Sequence, residues 1–344
     1  MYRVSIIPGE TPAFAQLTFS RYGCTLSSMF FRRKRACRLA VISLFLAIVC
    51  SESSPVFVKL LLADGWTPSS LYFLVLLLMT LFLAVHEFVS LERGKQWEMD
   101  SRDIKGTVLT GILGGVLAPL CFFAGLQHVQ AVEAVLISSM MPLFIVFFAV
   151  ILLGERFNSQ TTLGGGCLLG SLVVIVWNNV MQAELHWGLF LILLSPFFGA
   201  LTTIVHKKLV KHRHLDSVVL VRTTLSLLLV GVWLFFTEPE SFALLGAPQN
   251  IWHILGLTFL AFLLPFFLYF RALRHLTVVE VGLAAMTGPV TGVLFAVAFL
   301  GEELTHMHLI ALALVALGIF FINVPITKLR IVPSRLMEIG PLRK

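Results

Sequence analysis

The sequence predicts an all-α membrane protein: ten transmembrane helices forming two inverted five-helix repeats, with both termini in the cytoplasm. Three observations predict it. The first is composition. Of 344 residues, 58% are hydrophobic and only 12% charged, which leaves too little polar surface to cover a soluble domain of this size. The second is the placement of Lys and Arg between the apolar windows, and the third is an internal repeat at one fixed offset.

Apolar windows bounded by Gly, Pro or charge recur near the length of ~20 residues that crosses a hydrocarbon core of about 30 Å. They place helices 1 to 5 at 39–62, 68–90, 105–126, 131–153 and 161–178. Helices 6 to 10 follow at 186–206, 217–237, 251–271, 278–300 and 307–324. Each is read as a helix because lipid offers backbone N–H and C=O groups no partner.

Basic residues near short connections are retained on the cytoplasmic side. Arg32, Arg33, Lys34, Arg35 and Arg38 precede helix 1; Arg93, Lys95, Arg102 and Lys105 follow helix 2; Arg156 follows helix 4. Lys207, Lys208, Lys211 and Arg213 follow helix 6, Arg271 and Arg274 follow helix 8, and Lys328, Arg330, Arg335, Arg343 and Lys344 follow helix 10. The five alternate connections carry neither Lys nor Arg. Both termini are therefore expected in the cytoplasm, and one span more or fewer in the middle would put basic clusters on both sides. The formal charge of +7 is thus explained by orientation, and no nucleic-acid partner is implied.

The remaining composition is quiet. Cys24, Cys37, Cys50, Cys121 and Cys167 show no CxxC spacing, so neither a disulfide framework nor a metal site follows. Residues 1–31 lack the basic-then-apolar order of a cleavable signal, so helix 1 is expected to serve as an uncleaved one, and Met29 would also make a sensible chain start. The expected divisions are an N-terminal cytoplasmic segment 1–38, repeats 39–180 and 186–324, and a cytoplasmic tail 325–344.

The repeat emerges when residues 124–155 are laid on 271–302. His128 falls on His275, Glu133 on Glu280, Pro142 on Pro289, and Leu153-Gly154-Glu155 on Leu300-Gly301-Glu302. Apolar helices would share Leu and Val by chance, but not His, Glu and Pro at one offset. Five spans per half is an odd number, so the second half enters the membrane from the opposite face. In many secondary transporters this architecture holds a solute site near the midplane, between the repeats.

The segments FFAGLQHVQAVEAVLISSMMPLFIVFFAVILLGERFNSQTTLGG and FLYFRALRHLTVVEVGLAAMTGPVTGVLFAVAFLGEELTHMHL resemble the drug/metabolite transporter superfamily, in particular its members with paired EamA domains. The likeness covers nearly all of the chain after about residue 38. It implies a ten-helix carrier of small organic solutes, without cofactor, in a bacterial inner membrane. Within the superfamily the chain is most similar to the S-adenosylmethionine/S-adenosylhomocysteine transporters of obligate intracellular bacteria, which implies exchange of those two solutes; amino-acid or drug export is the alternative. Arg222, early in helix 7, resembles an Arg found there in many members, whereas the equivalent place in helix 2, near Leu74, lacks it.

Glu52 is the first candidate for the solute site. Mid-helix, an ionised carboxylate costs about 2.5–3.5 kcal/mol on insertion scales unless it faces a wet cavity or a cation. It either binds a cationic group, takes up a driving proton, or hydrogen-bonds to Ser51 or Ser53 for packing alone. Lys59 shares its face, seven residues on; it either snorkels to the interface or joins Glu52 in holding a zwitterion. Arg222 either contacts headgroups or carbonyls, or pairs with a solute carboxylate or an acidic gating partner.

The prolines fall in matched places: Pro55 with Pro196, Pro142 with Pro289, Pro119 with Pro265. Each removes a helix hydrogen bond and marks a hinge or an open carbonyl. Phe122, Phe123, Phe266, Phe267 and Tyr269, beside Pro119 and Pro265, are candidates to line the cavity and stack on a planar or cationic solute.

Glu133 and Glu280 stand where carboxylates stabilise helix N-termini. The HRH at 212–214 and the HMH at 306–308 lack further ligands at metal spacing and read as solvated histidines. Gly166, Gly170 and the stretch from Ala311 to Gly318 permit close packing within the bundle, with a homodimer left open. A membrane enzyme would need a clustered catalytic set and a receptor an appended domain or long binding loops; neither pattern is found.

Overall fold

The computed structural model describes residues 35–92, 101–154, 159–181, 186–209, 215–241, 250–273, 276 and 278–323. Most of the expected basic clusters, Glu155, the histidines at 212 and 214, and residues 1–28 lie outside them. Among the described residues nine helices are long and apolar enough to cross a membrane, and Thr287–Leu300 is a shorter apolar helix.

Helix 1 consists of α1 (Arg35–Ser51) and α2 (Ser54–Ala63), helix 2 of α3 (Pro68–Glu92). Helix 3 is α4 (Ser101–Ile112) and α5 (Ala118–Leu126), joined by a π turn over Leu113–Leu117. Helix 4 divides into α6 (Ala131–Ser138) and α7 (Met141–Leu153); helices 5, 6 and 7 are α8 (Ser159–Met181), α9 (Gly188–Leu209) and α10 (Leu215–Thr237). Helix 8 is α11 (Ile251–Leu255) and α12 (Leu264–Leu273) around a π stretch, Gly256–Leu263. Helix 9 divides into α13 (Val278–Ala285) and α14 (Thr287–Leu300), and helix 10 is α15 (His306–Asn323).

Proline and hydroxyl groups together explain the interruptions. Pro55 and Pro142 sit in the first turns of α2 and α7, where no N–H is required, and Pro289 lies in the first turn of α14. Hydroxyls also bond back to carbonyls of the preceding turn, which bends a helix: Ser51 and Ser53 donate to Ile48 and Cys50 at 2.8 and 2.6 Å. Ser139 donates to Val135 at 2.7 Å and Thr287 to Ala284 at 2.7 Å. Helix 6 differs: Pro196 lies inside the continuous α9. Ile192, Leu193 and Leu194 precede Ser195 there, so the hydroxyls that line the helix 1 break have no counterpart. Pro119 and Pro265 each follow a π segment, the register slip that absorbs the lost bond.

Helix 5 packs along helix 10, helix 3 along helix 6, helix 1 along helix 8 and helix 2 along helix 7; helix 4 packs on helices 6 and 9. The helix 5–10 seam is closer than Gly166 predicts and uses other residues. Gly164 and Gly318 meet backbone to backbone, Gly170 makes ordinary contact with Leu314, and Gly166 faces open space. The outer surface is apolar, with Phe88, Phe190, Phe235 and Phe299 all exposed, as a lipid-facing surface requires.

The two ends of the bundle differ in chemistry. At one end Asn250 donates to Asp64 at 2.5 Å, and Glu238 accepts the hydroxyls of Thr67 and Ser69 at 2.6 and 2.8 Å. Glu133 and Glu302 belong to this carboxylate end, and exposed Trp187 and Trp252 ring it. Arg271 lies at the other end.

Candidate functional site

The midspan breaks of helices 1, 4 and 9 set the site. Glu52 occupies the turn between α1 and α2, partly exposed, with its amide bonded to Ile48. Its carboxylate lies against helix 9 where Gly288 and Gly292 present bare backbone: a β-carbon at Gly292 would stand 2.6 Å from Oε2 and one at Gly288 2.8 Å from Oε1. Val135 of α6 also packs against Gly292. Among the described residues no hydrogen-bond donor or cation meets this carboxylate, and the hydroxyls of Ser51 and Ser53 are committed to backbone carbonyls. The glycine seat could not be anticipated from the sequence, because small residues in apolar helices are common and only the break brings this pair to Glu52.

Lys59 does not join Glu52. Its Nζ lies 3.8 Å from Glu302 Oε1, at the carboxylate end. Glu302 also accepts the amides of Ala131 and Val132 at 2.6 and 2.8 Å, so it, rather than Glu133, caps α6. The preceding Gly301 has φ +67, as does Gly154 at φ +68. Left-handed backbone of this kind favours glycine, and at Gly301 it turns the chain so that Glu302 reaches helix 4. The Leu-Gly-Glu motif is legible in those terms only once the chain reversal is seen.

Glu133 is buried, receives the Asn179 side-chain amide, and lies 3.8 Å from His308 Nε2. His308 is 2% exposed, not solvated as the HMH reading expects. It exchanges reciprocal capping bonds with Thr305: the Thr305 amide donates to Nδ1 at 3.4 Å, and the His308 amide to Oγ1 at 3.3 Å. His306 is exposed.

Arg222 lies elsewhere, on the π turn of helix 3. It donates to the Gly114 carbonyl at 3.5 Å, while Tyr72 donates to Gly115 at 2.7 Å and Ser226 to Gly111 at 3.2 Å. A π turn displaces carbonyls from their usual partners, and three side chains from helices 2 and 7 take them. Sequence reasoning missed Tyr72 and Ser226.

The aromatic candidates do not converge. Phe123 is core, edge-on to Tyr72 with ring centroids 5.3 Å apart, and Phe122 stands beside it. Phe267 packs on Phe82 and His86 of helix 2 and on Phe266, and Tyr269 is exposed.

The EamA-like transporter family matches the chain twice, over residues 38–177 and again over 186–324. An uncharacterized transporter of Methanothermobacter thermautotrophicus is 26% identical over 220 residues, spanning 62% of this chain and 63% of that protein's length. A crystal structure of a protein 18% identical in sequence aligns with a TM-score of 0.57 over 82% of this chain and 95% of its own, a likeness of fold alone.

Proposed function

The chain belongs to the EamA-like transporter family, and from that premise we propose that it moves a small organic solute bearing a cationic group across a membrane by alternating access, with Glu52 as the group that meets the solute or a driving proton. The observation that carries this is the Glu52 carboxylate at a helix break in midspan, partly exposed and without a donor or cation among the described residues. A carboxylate is retained at that depth only at a cost that a bound cation or proton offsets, and broken helices at the midplane are where transporters hold their ligands.

In this reading ten spans form two inverted repeats, both termini are cytoplasmic and the membrane is a bacterial inner membrane. The split helix 9 is the span that length and composition leave out. Lys and Arg in the connections after helices 2, 6 and 8, with none in the alternate connections, support the orientation. S-adenosylmethionine, a sulfonium with an α-amino acid end, exchanged for S-adenosylhomocysteine, is the specific solute proposed. Amino-acid or drug export is the alternative in the same superfamily.

The test is uptake of radiolabelled S-adenosylmethionine by cells that express the chain and have no uptake of their own. Saturable uptake, competed by S-adenosylhomocysteine and lost in Glu52→Gln, is the expected result. Flat uptake with the protein in the membrane would overturn the solute, and the same cells would then be assayed for amino-acid efflux.

A further inference from the structure

We infer that Glu302 is a latch that holds the carboxylate end of the bundle shut by tying together the two half-helices that the midspan breaks leave able to pivot. The inference rests on the alternating access proposed above. The half-helices are α2, ten residues long, and α6, eight residues long. Both stand on the carboxylate-end side of their breaks, at Glu52–Ser53 in helix 1 and Ser139–Met140 in helix 4. Each is short, and each joins the rest of its span through a turn rather than a continuous helix.

Glu302 belongs to neither arm, yet binds both. It follows Gly301 at the end of helix 9, and its two oxygens receive the amides of Ala131 and Val132 at 2.6 and 2.8 Å while Lys59 of α2 stands 3.8 Å from Oε1. Those amides are the first of α6, which have no acceptor inside their own helix, and the carboxylate meets the positive end of that helix. Charge-assisted bonds of this kind are the strong ones. Glu133, two residues into α6, is held by Asn179 of helix 5 and faces His308 of helix 10, so α6 is anchored on its far side. Lys59 then adds a charged contact between this body and the helix 1 arm, beside the buried packing of Val58 and Leu61. This assigns Lys59 to closing the bundle and not to a solute carboxylate.

If the latch holds, weakening it opens a path from the carboxylate end to the midspan breaks. The test is made on the full chain with Cys24, Cys37, Cys50, Cys121 and Cys167 replaced by Ser and a single reporter, Ser139→Cys, in the helix 4 break. A membrane-impermeant maleimide is added to intact cells and, separately, to inverted vesicles; His306→Cys, exposed at the start of helix 10, identifies which preparation presents the carboxylate end.

From that face Glu302→Ala is expected to raise the labelling rate of Ser139→Cys about tenfold, the scale set by losing bonds to a charged acceptor. Lys59→Met raises it less, Glu302→Gln falls between, and Glu303→Ala, an exposed neighbour, leaves it unchanged. Unchanged labelling in both Glu302→Gln and Lys59→Met, with each chain in the membrane at the parent level, overturns the latch even if Glu302→Ala fails to fold. An equal rise in Glu303→Ala overturns it too. The readout needs no solute, so a failed uptake assay counts against the transport reading and a failed labelling change counts against the latch.

Discussion

Gly164 of helix 5 and Gly318 of helix 10 face each other so closely that a methyl group on either would stand 2.8 or 2.9 Å from the other's carbonyl oxygen. In lipid, where apolar burial drives helix association weakly, backbone approach of this kind supplies the packing. Gly318→Ala is expected to destabilise the chain by about 1–3 kcal/mol, the usual cost of overpacking. Gly166→Ala, on open space, should leave stability unchanged. Melting temperatures of the purified protein in detergent decide it, and equal losses would refute the pairing.

Tyr72→Phe removes the hydroxyl that donates to the Gly115 carbonyl and keeps the ring against Phe123. A buried acceptor left without its donor costs about 1–3 kcal/mol, so the melting temperature should fall while transport by the surviving folded protein persists. A variant as stable as the parent would show that the π turn of helix 3 needs no clip from helix 2.

Glu52→Gln keeps the shape of the side chain and removes its charge. Transport is expected to fall at least tenfold, about 1.4 kcal/mol in transition-state terms, with membrane levels unchanged, and Glu52→Asp should recover part of it. Parent-like transport in Glu52→Gln would remove the carboxylate from the mechanism.

Gly292→Ala tests the seat instead of the charge. Its new methyl would meet Glu52 Oε2 at 2.6 Å and Val135 at 2.8 Å, so the carboxylate must leave. Residues acting as a unit show strongly non-additive effects. The double variant Glu52→Gln with Gly292→Ala should therefore transport no worse than Glu52→Gln alone, and fully additive losses would show that the two positions act separately.

Much of the fold was legible because lipid leaves a chain few options. Apolar length located the helices, and each matched proline fell within or just beyond an interruption, except Pro196. That exception is informative: proline marks where a break is permitted, and the hydroxyls of Ser51 and Ser53 decide that helix 1 takes it. The site was less legible. Glu52 stood out as a charge in an apolar helix, but its neighbours on helix 9 are glycines, which carry no chemical signal. Lys59 lies seven residues beyond Glu52, and a helical face suggested their partnership. The break in helix 1 intervenes, and Lys59 meets a carboxylate from the far half of the chain, a pairing that local periodicity cannot disclose. Arg222 is recognisable as a buried cation, while its use on the carbonyls of helix 3 depends on a π turn that composition does not announce.

The short arms also bear on how the chain is made. At 1.5 Å of rise per residue, eight-residue α6 reaches only about 12 Å, well under half of a hydrocarbon core of about 30 Å. Neither it nor α2 could enter a bilayer as a separate segment. The insertion machinery must therefore receive helices 1 and 4 each as a single apolar stretch, with its interruption inside it. Proline and local hydroxyls place each interruption within its own span, and helix 9 comes later in synthesis to offer Glu52 its bare backbone and α6 its capping carboxylate. Until then the first half holds its joints unbraced, and a ribosome stalled before helix 9 would leave Glu52 without its glycine seat and α6 without its capping carboxylate.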